Sequence, residues 1–129
     1  MLQLKKIHHI AIICSDYPVS KAFYTEVLGL TLQQEVYREE RQSYKADLAL
    51  HGNYVIELFS FPNVPARLSF PEAAGLRHLA FAVESVAAAH EELMKAGVEV
   101  QEIRTDEHTG KRFFFFSDPD GLPLEIYEE

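Results

Sequence analysis

A strand-forming segment with a histidine near its start occurs twice in this chain of 129 residues, as His9-Ile10-Ala11-Ile12 and as His78-Leu79-Ala80-Phe81. Setting one on the other aligns much more. Gly29 and Gly97, each placed to stop a helix, follow the histidines by 20 and 19 residues. Tyr54-Val55-Ile56-Glu57-Leu58 falls on Leu122-Pro123-Leu124-Glu125-Ile126, with Glu57 48 residues after His9 and Glu125 47 residues after His78. Self-similarity at a fixed offset marks a duplicated structural unit. Such a repeat constrains the fold more than any single motif does.

Each copy reads as strand, helix, strand, strand, strand. Ile7 to Cys14 is the first strand, with Ile7, His9, Ala11 and Ile13 on one face and His8, Ile10, Ile12 and Cys14 on the other. Asp16 caps a helix from Pro18 to Leu28, whose buried stripe is Val19, Ala22, Phe23 and Val27. Strands follow at Thr31–Arg38, Tyr44–His51 and Tyr54–Phe61, the last two joined by the turn His51-Gly52-Asn53. The second copy has a strand at Arg77–Val83, then a helix capped by Ser85 and ended by Gly97. Strands at Val98–Arg104 and Arg112–Ser117 come next, and Asp118-Pro119-Asp120-Gly121 turns the chain into a last strand carrying Glu125. The fold class is α+β. One domain spans residues 1–129, with module 1 at about 1–61, a proline-bearing linker at 62–75 and module 2 at about 76–129.

The totals narrow the function classes. A net charge of −8 argues against nucleic acid or an anionic membrane as a general partner. A single cysteine, Cys14, excludes an internal disulfide framework and fits a reducing compartment. With no signal peptide and no long apolar run, the expected location is cytoplasmic.

Chemistry concentrates at four positions. Glu57 and Glu125 each interrupt an apolar strand, and a carboxylate there needs solvent, a partner or a cation. His9 and His78 hold matching places in the first strands. Two imidazoles and two carboxylates form a mixed ligand set suited to one divalent metal ion: nickel, cobalt, zinc, iron or manganese. Small residues beside the histidines, Ala11 on one strand and Ala80 and Ala82 on the other, leave room over that face. Phe113–Phe116 reads as sheet core. His8, His51, His90 and His108 are not read as ligands.

With those residues in view, the chain resembles the vicinal oxygen chelate superfamily of glyoxalases, bleomycin resistance proteins and dioxygenases. The likeness rests on His9-Ile10-Ala11-Ile12-Ile13, Phe23-Tyr24 before Leu28-Gly29, Arg77-His78-Leu79-Ala80-Phe81, and Asp118-Pro119-Asp120-Gly121 leading to Glu125. It covers essentially the whole chain and is nearest to small bacterial glyoxalase-I-like proteins. The resemblance implies two paired βαβββ modules forming a cupped, eight-stranded mixed sheet with the helices outside. It implies metal ligation by His9, Glu57, His78 and Glu125, with nickel or zinc favoured. Glu125 would be the catalytic base and Glu57 its catalytic counterpart. The implied activity is that of a metal-dependent lyase or isomerase of the lactoylglutathione lyase (glyoxalase I) type, acting on a small molecule with vicinal oxygens. The alternatives are a dioxygenase or thiol transferase on the same scaffold, or a non-catalytic binder of a small molecule such as an antibiotic.

The sequence departs from the glutathione-using members. They carry Arg four residues after the first ligand His, where this chain has Ile13, and Asn four residues after the first ligand Glu, where it has Phe61. The substrate is therefore not expected to be glutathione-linked. Lys111 and Arg112 are expected to meet an anionic substrate end, as the resemblance implies. Arg38, Arg41 and Arg67 are further basic candidates in or after module 1. Three prolines stiffen the linker, and relatives commonly build their sites between two chains. Together these point to a homodimer.

Overall fold

The computed structural model describes residues 1–129, which divide into two compact units, Met1–Pro65 and Ala66–Glu129. Each unit contains one four-stranded mixed sheet and one main helix. The eight strands thus lie in two sheets of four.

In the first unit the order of elements is β1 (Ile10–Cys14), α1 (Tyr17–Ala22), β2 (Thr31–Arg38), β3 (Ser43–Leu50) and β4 (Asn53–Ser60). The sheet order is β1-β4-β3-β2, with β1 parallel to β4 and the other pairs antiparallel. The second unit repeats this with β5 (Leu79–Val83), α2 (Val86–Lys95), β6 (Arg104–Thr105), β7 (Arg112–Ser117) and β8 (Pro123–Glu128). Its order is β5-β8-β7-β6, again with first and last strands parallel. No helix is long and apolar enough to cross a membrane.

The pleat divides each sheet into two faces. Ile12, Cys14, Ala46, Leu48, Ile56 and Leu58 are buried on one face of the first sheet. In the second, Phe114, Phe116, Leu124 and Ile126 are buried together with Val86 and Leu93 of α2. The aromatic run therefore splits by parity. Phe114 and Phe116 are core, as expected of the whole run, whereas Phe113 and Phe115 lie on the opposite face as register partners of Tyr127 and Glu125.

Local signals set the element ends. The Asp16 carboxylate accepts from Val19 N–H and the Ser85 hydroxyl from Ala88 N–H, so both helices start where capping places them. Lys21 Nζ reaches Glu35 at 2.7 Å, and the Tyr17 hydroxyl donates to the same carboxylate, tying α1 to β2. These two bonds, Lys21 first, hold the Glu35 carboxyl below its usual range. His51 and Gly52 both adopt φ near +50 to +80° (49° and 80°), giving the tight hairpin between β3 and β4. Asp118 is buried and accepts from the N–H groups of Asp120 and Leu122, which closes the turn into β8.

Three elements differ from expectation. The first helix is α-helical only to Ala22 and continues as a π-helical turn, Phe23–Val27. A wider turn adds a residue and lets the consecutive aromatics Phe23 and Tyr24 both be buried, their rings in edge contact at 5.2 Å. The strand expected at Val98–Arg104 shrinks to Arg104–Thr105 plus an isolated bridge between Val100 and Phe116. Glu99, Gln101 and Glu102 are poor strand formers, and the Gln101 carbonyl accepts from His90 Nε2 at 2.9 Å. The first strands begin at Ile10 and Leu79, so His9 and His78 stand immediately before them, not within.

The parity of the aromatic run gives a direct test. Phe114→Ala should cost about 3–5 kcal/mol, the range for a fully buried ring, whereas Phe113→Ala should cost far less. Urea denaturation midpoints of the two variants would check this, and equal losses would contradict the assigned faces.

Candidate metal centre

Parallel pairing of first and last strands builds the same arrangement in each unit. Ala11 pairs with Glu57 across β1 and β4, and Ala80 pairs with Glu125 across β5 and β8. In both units the alanine stands two residues after the histidine, so the same register places His beside Glu. His9 Nε2 is 3.7 Å from Glu57 Oε1, and His78 Nε2 is 3.5 Å from Glu125 Oε1. The glutamates are 17% and 14% exposed, so both carboxylates are largely withdrawn from water.

These separations are too long for a hydrogen bond. They match two donors of one ion: ligands about 2.0–2.2 Å from a metal at a tetrahedral angle stand about 3.4 Å apart. The donor set, imidazole plus carboxylate, fits a borderline divalent ion. Within either unit, no group of three or more His, Cys, Asp or Glu side chains is gathered as a metal site.

The surroundings of the two pairs differ. In the first unit, Lys45 Nζ lies 3.3 Å from Glu57 Oε2 and 2.9 Å from Asp47 Oδ1. Asp47 is the register partner of Glu57, so the lysine bridges two carboxylates on one face. It occupies one glutamate oxygen and leaves the other facing His9. His9 stacks on Tyr54, with ring centres 4.8 Å apart, and its Nδ1 meets His8 Nδ1 at 2.8 Å. Contacts of this kind orient a ligand imidazole. Burial keeps the Tyr54 phenol protonated far up the pH scale, with Asp47 and Glu57 adding to the effect. Lys45 is held charged, chiefly by its bond to Asp47.

In the second unit the place of Asp47 is taken by Phe115, register partner of Glu125. His78 meets the Phe115 ring edge-on at 5.1 Å, and Phe113 stacks along Tyr127 at 6.3 Å. The first glutamate therefore sits in a polar network and the second beside aromatic rings.

Arg112 shares the face of Phe114, opposite Glu125, and pairs with Glu128 at 3.4 Å. Strand alternation thus puts it on the face opposite Glu125. Lys111 sits in the turn before β7, its backbone carbonyl accepting from Asp106 N–H and its N–H donating to Thr109. Arg67 spends its donors on Ser69 and on the carbonyls of Leu76 and Arg77. His8 does not point away from His9, because the strand starts at Ile10 and alternation does not extend to it. Sequence reading missed Lys45, Asp47 and Tyr54. The alternation of Lys45 and Asp47 with buried Ala46 and Leu48 was the available signal.

A family model described as the Glyoxalase/Bleomycin resistance protein/Dioxygenase superfamily matches residues 6–126. The chain belongs to this superfamily. It is 64% identical over 129 residues, the full length of both chains, to the uncharacterized protein YaeR of Escherichia coli (strain K12). It is 66% identical over 126 residues, 98% of each chain, to the uncharacterized protein YwkD of Bacillus subtilis (strain 168). Among solved structures, a glyoxalase family protein from Enterococcus faecalis is 45% identical, with a TM-score of 0.91 over 98% of this chain and 100% of that one. The trypanothione-dependent glyoxalase I of Leishmania major is 26% identical, with a TM-score of 0.76 over 98% of this chain and 88% of that one. The fold is thus that of paired βαβββ modules.

The Lys45 bridge can be measured. Lys45→Met leaves Asp47 and Glu57 facing each other without a cation and should destabilise the protein by about 1 kcal/mol, given partial exposure. Much of that loss should vanish when Asp47→Asn is already present. A double-mutant cycle by thermal denaturation reads the coupling, and strictly additive losses would count against the bridge.

Proposed function

We propose that the chain is a metal-dependent lyase or isomerase of the glyoxalase I type, acting on a small substrate with vicinal oxygens that is not linked to glutathione. One observation carries this reading: the repeat of a His–Glu pair, at equal register and near-equal spacing, in both units. Two donors alone hold a divalent ion weakly. We therefore assign His9, Glu57, His78 and Glu125 to one ion, nickel or zinc by preference. When bound, that ion supplies Lewis-acid polarisation of the substrate's neighbouring oxygens.

The chain's own groups divide the remaining work. Glu57 has one oxygen held by Lys45 and is suited to holding and orienting. Glu125, beside Phe115 and with no lysine on it, is suited to take a proton from a substrate carbon and return it to the neighbouring one. Apolar rings beside it exclude water that would compete for that proton. Ile13 and Phe61 offer no donors where glutathione-using members have Arg and Asn, which supports a different substrate. The proposed state is a cytoplasmic homodimer in which both chains contribute ligands to each site.

Metal analysis of purified protein tests the centre. Alanine at any one of His9, Glu57, His78 or Glu125 should reduce bound nickel or zinc at least about tenfold, as expected for loss of a ligand or its close support. Full occupancy in His78→Ala would sink the four-ligand site. Turnover of the methylglyoxal–glutathione hemithioacetal should fall well below the ordinary enzyme range of about 10⁴–10⁸ M⁻¹s⁻¹ in kcat/KM.

Shared sites predict complementation. Glu57→Gln and Glu125→Gln proteins, mixed under conditions that let subunits exchange, should regain part of the bound metal. No recovery would show that each chain owns its whole site.

A further inference from the structure

The Glu57 face of the first unit carries arginine that no carboxylate holds. Arg38 ends β2 opposite Ser43, and the next rows on that face run Lys45–Phe59 and Asp47–Glu57. Its guanidinium carbon lies 4.9 Å from the centre of the Phe59 ring and 5.8 Å from that of Phe61. Arg41, in the 3-10 turn after β2, lies 4.9 Å from Phe61. Arg38 Nη2 donates to Ser43 Oγ at 3.1 Å, while its Nε is buried without an acceptor.

The contrast with other cations is informative. Lys21, Lys45, Lys95 and Arg112 all pair with carboxylates, in a chain with 20 acidic against 12 basic residues. Arg38 and Arg41 instead lie over aromatic rings. A ring contact offsets the charge of a guanidinium without using its N–H donors, whose planar fork matches an oxyanion. A buried N–H with no acceptor costs stability, which marks Arg38 as a side chain whose hydrogen bonding is incomplete. Phe59 stands two residues from Glu57 along β4, about 7 Å at the strand rise of about 3.4 Å per residue. A small molecule spans that distance. Ile13, the donor-free position on β1, is the register partner of Phe59, so Arg38 brings charge to the same row from the opposite edge of the sheet. The second unit repeats the device: Arg104 of β6 lies 5.0 Å from Phe113 and 5.7 Å from Phe115, also without a carboxylate partner.

We propose that Arg38, with Arg41, forms an oxyanion subsite, so that the substrate carries a carboxylate or phosphate at the end away from its reacting oxygens. Arg104 offers the same chemistry in the second unit. The substrate role rests on the reading of the preceding subsection; the subsite itself does not.

Two measurements on the full chain separate the ideas. The first is calorimetric titration of nickel-loaded protein with acetohydroxamate, which has a neutral tail, and with succinic monohydroxamate, which adds a carboxylate. The wild type should bind the second at least about tenfold tighter, the scale of a hydrogen-bonded charge pair. Arg38→Met with Arg41→Met should erase that preference and leave acetohydroxamate binding unchanged. If the Met variant does not fold, Arg38→Lys, which keeps the charge without the fork, should recover only part of the preference. Equal wild-type affinities for the two hydroxamates would overturn the subsite. The second measurement is ¹⁵N NMR of the metal-free protein, following the Arg38 Nε–H signal as succinate or inorganic phosphate is added. Movement of the signal is expected, and the ion acting at lower concentration names the anion. If acetohydroxamate does not bind the loaded protein, the metal reading fails while the NMR titration still judges the subsite. A stationary Arg38 signal with both ions overturns it.

Discussion

Parallel pairing between the first and last strand of each unit is the constraint on which the site depends. It sets Ala11 beside Glu57 and Ala80 beside Glu125, and so brings each histidine to its glutamate. A slip of one residue would turn Glu57 into the face occupied by Ile56 and Leu58, among buried apolar side chains. The apolar face therefore guards the polar one. Burial of Ile12, Cys14, Ile56 and Leu58 locks the register, and the register places the donors.

The two units share donors and differ in everything around them. Lys45 and Asp47 hold Glu57 in a charged network, whereas Phe115 and Phe113 occupy the matching strand positions beside Glu125. Equal geometry with unequal surroundings is the physical basis for the different tasks proposed for these two glutamates. A carboxylate already bridged by lysine serves well as a fixed support. One set beside rings keeps its lone pairs for a ligand. The edge strands add arginines lying over rings of the same faces, so these cations come from β2 and β6 and not from the first strands.

Much of this was legible in the linear chain because it depends on local rules. The offsets between His9 and Glu57 and between His78 and Glu125 exposed the repeat. Asp16 and Ser85 marked caps through their side-chain acceptors, and Gly52 and Gly121 marked turns through their freedom to take positive φ. Strand parity sorted Ile12 and Cys14 from Ala11 and Ile13 correctly. The superfamily and the βαβββ order follow from these features together.

Other features came only from the tertiary structure. Parity within Phe113–Phe116 is visible in sequence, but which parity faces the core depends on how β7 pairs with β8. The same pairing puts Arg112 on the face of Phe114, within reach of Glu128. Lys45 bridges Asp47 and Glu57 because β3 pairs with β4 in a register that sets Asp47 opposite Glu57. Arg38 of β2 reaches Phe59 of β4 across the intervening β3, and Phe61 just past the end of β4. Local propensity acts over a few residues and can be read along the chain; cross-strand neighbours are set by register, which exists only once the sheet has formed.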